Sequence, residues 1–434
     1  MFEKIFKLQE NKTTIGREVI AGFVTFMTMA YIIFANPGIL SAAMGKELFP
    51  ALVFATCLAA GVMTICMGFF TNYPLALASG MGLNAFLAFG IVLGMKLPWQ
   101  VAMGVIFIEG VIVSILVLTN VREWVMDAIP MDLKRAIGVG IGLFIALIGL
   151  RNANLVVDDP ATLITFGKIG PENIIALFGI LITAVLMGKK VKGAILIGII
   201  LSTLIAIFAG LVKFPSEWIS GLKPEYFQTF FALDIKNALS FGLAATIFAF
   251  LITDFFDTMG TVFAIGEEAG YIDKNGKVPR LKRVLLVDSL AAVVGGLFGC
   301  SSVTTYIESA SGVGEGGRTG LTSVVTGVLF LLAIFFTPII SIVPAYAVAP
   351  ALIIVGFLML TVVKSINWED FSVAFPAFLT MIMIPFTYSI SKGIGYGFIS
   401  YVLIKVVSGK YKEVHPLMYI VAVAFMLDFF LASR

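Results

Sequence analysis

Charge is scarce in this chain. Lys, Arg, Asp and Glu make up 13% of its 434 residues, where a soluble domain carries about 25%. A water-soluble globular protein is excluded, because 59% of the residues are hydrophobic and too little polar surface is left to solvate them. Histidine is almost absent. The single one, His415, rules out a multi-histidine metal centre. The three cysteines, Cys57, Cys66 and Cys300, all fall in apolar stretches; they imply no disulfide framework and match no zinc spacing. A net charge of +3 is spread over many loops and gives no nucleic-acid footprint. No cofactor-binding motif is present. The polar, basic N-terminal arm (Lys4, Lys7, Lys12, Arg17) leads into an apolar run from Val19 that reads as a first span rather than a cleavable signal peptide.

What the chain has is long apolar runs. Set against the ~20 residues that a helix needs to cross a bilayer, they give about fourteen segments. The expected spans are 17–40, 48–70, a half-helix near 83–95, 98–119, 133–150, 172–188, 191–211, 240–258, 284–299, a half-helix near 306–317, 319–337, 346–363, 371–388 and 392–409. A further apolar run at 416–431 is compatible with a crossing, an interfacial helix or a helix against the protein. The fold class is an all-α polytopic membrane protein. Basic residues cluster at Lys4/Lys7/Lys12/Arg17, Arg122/Lys134/Arg135, Lys189/Lys190/Lys192, Lys274/Lys277/Arg280/Lys282/Arg283 and Lys410/Lys412. With the N-terminus in the cytoplasm every cluster faces inward, as the positive-inside rule asks.

The chain repeats itself. Residues 110–149 and 327–362 both run span, short loop with Ile-Pro or Val-Pro, then a glycine-containing span. Residues 173–210 and 371–409 are span pairs joined at Lys192-Gly193 and Lys392-Gly393, and 21–37 and 58–70 resemble 244–260 and 290–300. A unit of seven spans is odd, so its second copy must insert upside down. Inverted repeats with paired broken helices point to a binding site near the bilayer midplane.

Two polar breaks occupy equivalent places in the two copies. The first is Tyr73-Pro74 through Ser79-Gly80-Met81-Gly82-Leu83-Asn84-Ala85-Phe86. Pro74 resists a helix interior, Gly80 and Gly82 permit close approach, and Asn84 offers donors and an acceptor. Packing through small residues is the competing reading. The second runs from Gly299 to Arg318 and holds Ser-Ser-Val-Thr-Thr-Tyr followed by Glu308. Its β-branched residues favour a short extended segment, with a helix starting near Tyr306 or Ile307 and Glu308 in its first turn. Irregular backbone at membrane depth must be buried or line a cavity, and a carboxylate there is a functional-site hypothesis by default.

Four further acids lie in apolar spans. Asp254 and Asp257 are three residues apart and are expected to share a helix face. Two close carboxylates in low dielectric cannot both carry charge cheaply, which suits one of them to carry a proton; a helix-to-helix hydrogen bond is the alternative for Asp254. Glu109 and Asp288 read as structural, with Asp288 in reach of Arg283 or its neighbours. Arg318 and Glu315 read as an ion pair or gate closing the second half-helix. Tyr306 and Phe86 are the aromatics placed to stack on a ligand.

The segments GREVIAGFVTFMTMAYIIFANPGIL, ASGMGLNAF, TDFFDTMGT and SSVTTYIESASGVGEGGRTGL resemble the guanine/hypoxanthine and adenine permeases, the AzgA-like branch of the nucleobase-ascorbate (nucleobase:cation symporter-2) transporters. The resemblance covers essentially the whole chain. It implies a 7+7 inverted-repeat fold divided into a core domain (1–120 and 240–338), a gate domain (121–212 and 339–410) and a C-terminal apolar segment (411–434). It implies proton-coupled purine uptake at the plasma membrane by an elevator-like motion of the core, a proton in preference to sodium, and often a homodimer. Carried over residue by residue, it makes Asn84, Gly82, Asp257, Glu308, Tyr306 and Thr305 the substrate-binding candidates and Asp257, Glu308 and Asp254 the proton-coupling candidates. Related uracil and xanthine carriers hold an E-S-x-G-D block where this chain has Asp257-Thr-Met-Gly-Thr261. The terminal acid is thus Thr261, and Asp254 is the residue that would compensate. The rival functions are a uracil or xanthine carrier, an anion carrier of the same fold, an intramembrane aspartyl protease and a channel. The site's acids repel anions, and a protease dyad needs carboxylates converging from two helices.

Overall fold

Proline, glycine and polar interruptions decide where each apolar run becomes a helix. The computed structural model describes residues 2–119, 128–215, 217–272 and 278–432; Arg122, Lys274 and Lys277 of the basic clusters lie outside the described residues. The first expected span is two helices, α1 (Ile15–Met29) and α2 (Ile32–Met44), with a turn at Ala30–Tyr31. There follow α3 (Phe49–Thr71), strand β1 (Leu77–Ser79), the half-helix α4 (Met81–Ala85), which continues as a π-helix over Phe86–Gly94, and α5 (Trp99–Thr119). Next come α6 (Met131–Asn152), the hairpin β2 (Val156–Asp159) and β3 (Leu163–Phe166), α7 (Pro171–Gly188) and α8 (Ala194–Phe208). The second part holds α9 (Ala244–Glu268), α10 (Leu281–Phe298), strand β4 (Val303–Thr305), the half-helix α11 (Ser309–Gly314) and α12 (Gly320–Ala333). It ends with α13 (Ala345–Leu360), α14 (Phe371–Thr387), α15 (Ile390–Val407) and α16 (Pro416–Ala432). Among the described residues, nine helices are long and apolar enough to cross a membrane. This is a helical polytopic membrane fold.

Two boundaries differ from expectation. The helix around the two aspartates runs ten residues past 258, to Glu268, because no proline or glycine pair stops it. The second half-helix is shorter than expected: Tyr306 stays outside it and Glu308 is its N-cap residue rather than a first-turn residue. Polar side chains cap the helix starts. Thr14 accepts from Arg17 N at 3.4 Å, Asp370 from Ser372 N at 2.9 Å and Ser389 from Lys392 N at 3.3 Å. Each satisfies an N–H that lipid could not.

The helices pack as two groups. In one, α3 packs on α12, α5 on α10, and α1 on α12. In the other, α6 packs on α13 and α14, α7 on α8 and α13, and α14 on α15. The final helix α16 lies against α15, with Phe425 and Phe429 seated on Gly395. Glycines set the closest approaches. A Cβ on Gly320 would sit 1.9 Å from Gly68 O, and one on Gly68 would sit 2.4 Å from Gly320 O. The same reciprocal arrangement joins Gly142 on α6 to Gly356 on α13, at 2.8 and 2.4 Å. Lipid supplies no hydrophobic drive between helices, so backbone approach of this kind holds them together. Gly320→Ala is therefore expected to push α12 off α3, at a cost of roughly 1–3 kcal/mol. It should lower the thermal unfolding temperature in detergent. Gly188→Ala, whose Cβ would meet nothing within 4 Å, should leave it unchanged.

Candidate functional site

The two polar breaks meet. β1 and β4 pair antiparallel, with Leu77 opposite Thr305, Ala78 opposite Thr304 and Ser79 opposite Val303. Two three-residue strands can persist at this depth only if the backbone groups beyond the ladder are also satisfied. They are: Gly80 N donates to Ser302 O at 3.0 Å, Tyr306 N to Ala76 O at 2.9 Å, and Ala76 N to Ser309 Oγ at 2.9 Å. Thr64 closes one flank, donating to Leu77 O and accepting from Leu77 N at 3.0 and 2.8 Å. On the other flank Cys300 O accepts from Ser79 Oγ at 2.6 Å and from Asn36 Nδ2 at 3.0 Å. The half-helices α4 and α11 start from this paired knot.

A cavity of about 1180 Å³ opens beside the knot, between the two helix groups. Tyr31, Gly80, Gly82, Asp257, Thr261, Thr305, Tyr306 and Glu308 line it from one group. Ile137, Gly138, Ile141, Val355 and Met359 line it from the other, and Lys134, Arg135 and Lys282 also belong to the lining. Its walls are mostly apolar with a few convergent polar groups, which is the usual make-up of a small-molecule site. Gly82 makes the closest approach across it: a Cβ there would come 2.6 Å from Ile141 Cγ2.

Of the residues singled out from the sequence, Gly82, Asp257, Thr305, Tyr306 and Glu308 come together on this cavity. Asp257 is exposed to it, on α9. Glu308 reaches it from the N-cap of α11, and its Oε1 accepts from the Tyr31 hydroxyl at 2.6 Å. The Tyr306 hydroxyl donates to Ser79 O at 2.5 Å, which fixes its ring against the first break. Thr305 Oγ1 and N both donate to Asp288 Oδ1, at 2.7 and 2.8 Å.

Other expectations need correction. Asn84 does not line the cavity; it is fully buried, its Nδ2 donates to Ser79 O at 3.4 Å and its Oδ1 has no partner among the described residues. Asp254 does not share the cavity with Asp257. Three residues leave side chains about 60° apart around a helix, and that angle turns Asp254 into the protein, where it is 1% exposed. Phe86 is no stacking surface for a ligand, because it stacks on Phe250 with centroids 4.1 Å apart in the closed core. Asp288 pairs with threonines rather than with Arg283. Arg318 and Glu315 do not pair: Arg318 Nη1 donates to Val313 O and Gly317 O, at 2.7 Å each, while Glu315 pairs with Lys192.

Two residues escaped the reading of the sequence. Tyr31 sits in an unbroken apolar run, and only the turn between α1 and α2 delivers its hydroxyl to Glu308. Glu18 is a fully buried carboxylate on α1. It accepts from Arg318 N, Thr319 N, Thr319 Oγ1, Thr322 N and Thr322 Oγ1, at 2.6–3.3 Å. A capping acid across 300 residues of sequence leaves no local signal.

Comparison with known proteins gives the same picture. The chain is 44% identical to the adenine permease AdeP of Escherichia coli, over 98% of its own length and 95% of that protein's. It is 44% identical to the guanine/hypoxanthine permease PbuG of Bacillus subtilis, over 98% of each. The transmembrane domain of the cyanobacterial bicarbonate transporter BicA superposes with a TM-score of 0.66 at 15% identity, covering 87% of this chain and 96% of that one; that likeness is one of fold alone. The model of the permease family Xan_ur_permease matches residues 16–396, and the chain belongs to this family.

Proposed function

We propose that this permease imports purine nucleobases, with hypoxanthine, guanine and adenine as the substrate class, coupled to protons. The observation that carries the reading is the pair of carboxylates, Asp257 and Glu308, on one cavity wall at the junction of two broken helices. A neutral purine offers ring and exocyclic N–H donors in one plane, which such acceptors match. Tyr31 holds one oxygen of Glu308 and leaves the other for the ligand. Tyr306 and Thr305 are the remaining contacts, with Gly82 setting the gap and Asn84 supporting the first half-helix from behind. The adenine and guanine/hypoxanthine permeases among the relatives support adenine, guanine and hypoxanthine over uracil or xanthine. An anion carrier is disfavoured, since its site would present donors and no free carboxylates.

In this reading the chain has fourteen spans in two inverted halves. The β1/α4 and β4/α11 breaks and the glycine-tight pairs α3–α12 and α5–α10 are the related parts. The core domain comprises 1–120 and 240–338, the gate domain 121–212 and 339–410, and the cavity between them supports an elevator motion of the core. The N-terminus is cytoplasmic in the plasma membrane. The cavity reaches Lys134, Arg135 and Lys282, which this orientation puts at the cytoplasmic side, so in this reading the state is inward-open. The Lys192–Glu315 ion pair between the α7–α8 connection and the end of α11 then belongs to the cytoplasmic face.

Reconstituted protein tests this. Labelled purine is expected to exchange against unlabelled purine inside proteoliposomes, and to accumulate only when the outside is the more acidic side. No exchange of any purine would overturn the reading.

A further inference from the structure

Behind the cavity wall lies a second set of acids. Glu109 on α5 and Asp254 on α9 are 0% and 1% exposed, and their carboxyl groups lie within hydrogen-bonding reach of each other. Among the described residues neither Glu109 oxygen receives a hydrogen-bond donor, and Asp254 Oδ1 receives none. Among the described residues no ion pair reaches either group. The surroundings are dry and closely packed: a Cβ on Gly110, next to Glu109, would come 2.7 Å from Val293 N on α10. Two ionised carboxylates in contact here, with no cation, would cost far more than any packing could return.

The pair is linked to the cavity. The Thr304 hydroxyl on β4 faces Asp254 and lies 2.7 Å from the Thr258 hydroxyl, which lies 2.7 Å from Asp288 Oδ2. Asp288 Oδ1 in turn holds the Thr305 hydroxyl at 2.7 Å, and Thr305 lines the cavity. The hydrogens along this path do not suffice. Thr258 and Thr304 each bring one proton. Both are used between Thr304, Thr258 and Asp288, and two ionised carboxylates have no donor between them, so the Asp254–Glu109 contact needs one carboxyl proton of its own. The charged groups facing the pair are Asp288 from α10 and Asp257 from α9; β4 contributes only Thr304. Among the described residues no group of three or more His, Cys, Asp or Glu side chains is placed to hold a metal ion.

We infer that Glu109 and Asp254 form a buried proton site, separate from the purine contacts, in which one proton is shared between the two carboxyl groups and exchanges with the cavity through Thr304, Thr258 and Asp288. The site rests on the reading of the protein as a proton-coupled carrier and names where the coupled proton resides. No bond other than O–H is made or broken: the proton leaves Glu109–Asp254 as the hydroxyls of Thr304 and Thr258 reverse direction, and Asp288 passes it to the cavity by way of the Thr305 hydroxyl. The net charge of the pair falls from −1 to −2 on release and returns on uptake, so release requires the cavity to be wet or the core to have moved.

Glu109→Gln tests this in proteoliposomes. The amide N–H replaces the shared proton, so the helices stay bridged, but no proton can be released. Labelled-purine exchange at equal pH is expected to stay within about twofold of the parent protein. Accumulation driven by one pH unit, which for one proton per purine is about tenfold, is expected to disappear. Unchanged gradient-driven accumulation would overturn the site, and so would loss of exchange in protein that is folded and monodisperse. An independent reading needs no transport and no purine. Infrared spectra of Asp257→Asn/Glu308→Gln, which lacks the cavity carboxylates, should still show a protonated-carboxyl band at neutral pH; its absence would overturn the site even if Glu109→Gln failed to fold. If the parent protein exchanges no purine but the band is present, the substrate reading falls and the proton site stands.

Discussion

Glu308→Gln is expected to lower purine uptake about 10- to 100-fold with protein still in the membrane, the factor a lost hydrogen bond to a charged group commands. The amide carbonyl can still accept from Tyr31, which now lies 2.6 Å from Oε1, so the α2–α11 contact survives. What is lost is the second acceptor oxygen and the charge that a ligand N–H would meet. Asp257→Asn should have an effect of the same order, because Asp257 faces the same cavity from α9. Tyr31→Phe should act in the same direction but less, since it leaves both carboxylates in place. Initial rates of labelled hypoxanthine, guanine and adenine uptake, normalised to protein in the membrane, measure all three. Uptake within twofold of the parent for both Glu308→Gln and Asp257→Asn would remove these residues from the site.

The second large effect concerns stability. Glu18→Ala should destabilise the fold by about 3–5 kcal/mol, since each buried donor left without its acceptor costs roughly 1–3 kcal/mol. Glu18 receives two threonine hydroxyls and three backbone N–H groups at the start of α12. Those N–H groups are the orphan donors of a helix N-terminus, and the carboxylate also meets the positive end of the helix dipole. Its removal takes the acceptor from Arg318 N and Thr319 N, while Thr322 N keeps Thr319 O at 3.2 Å. Thermal unfolding in detergent should show a clear drop for Glu18→Ala and a smaller one for Glu18→Gln, which keeps one acceptor. Equal unfolding temperatures for Glu18→Ala and the parent would mean that α12 is capped by other means.

The site was partly legible in the sequence. Glu308 and Asp257 stood out because an acid inside an apolar run is conspicuous wherever the helix ends fall. The positions of the two breaks followed from Pro74, Gly80, Gly82 and the threonine-rich run before Tyr306. The facing of side chains was not legible. Asp254 and Asp257 look equivalent in one dimension, yet a rotation of about 60° puts one in the cavity and the other in the interior against Glu109. Asn84 shares a motif with Gly82 but turns into the core.

Composition and the spacing of apolar runs by themselves determined the membrane class, the approximate helix ends and the two irregular segments, because lipid tolerates few alternatives to a helix. Pairing across hundreds of residues was decided only in three dimensions. The Ser79–Val303 and Leu77–Thr305 register, the Tyr31 hydroxyl on Glu308, the Glu18 cap on α12 and the Glu109–Asp254 contact join segments whose local sequences carry no mark of one another. Hydropathy depends on each residue and its near neighbours along the chain, whereas hydrogen bonds in a dry interior depend on which distant groups the packing brings within 3 Å.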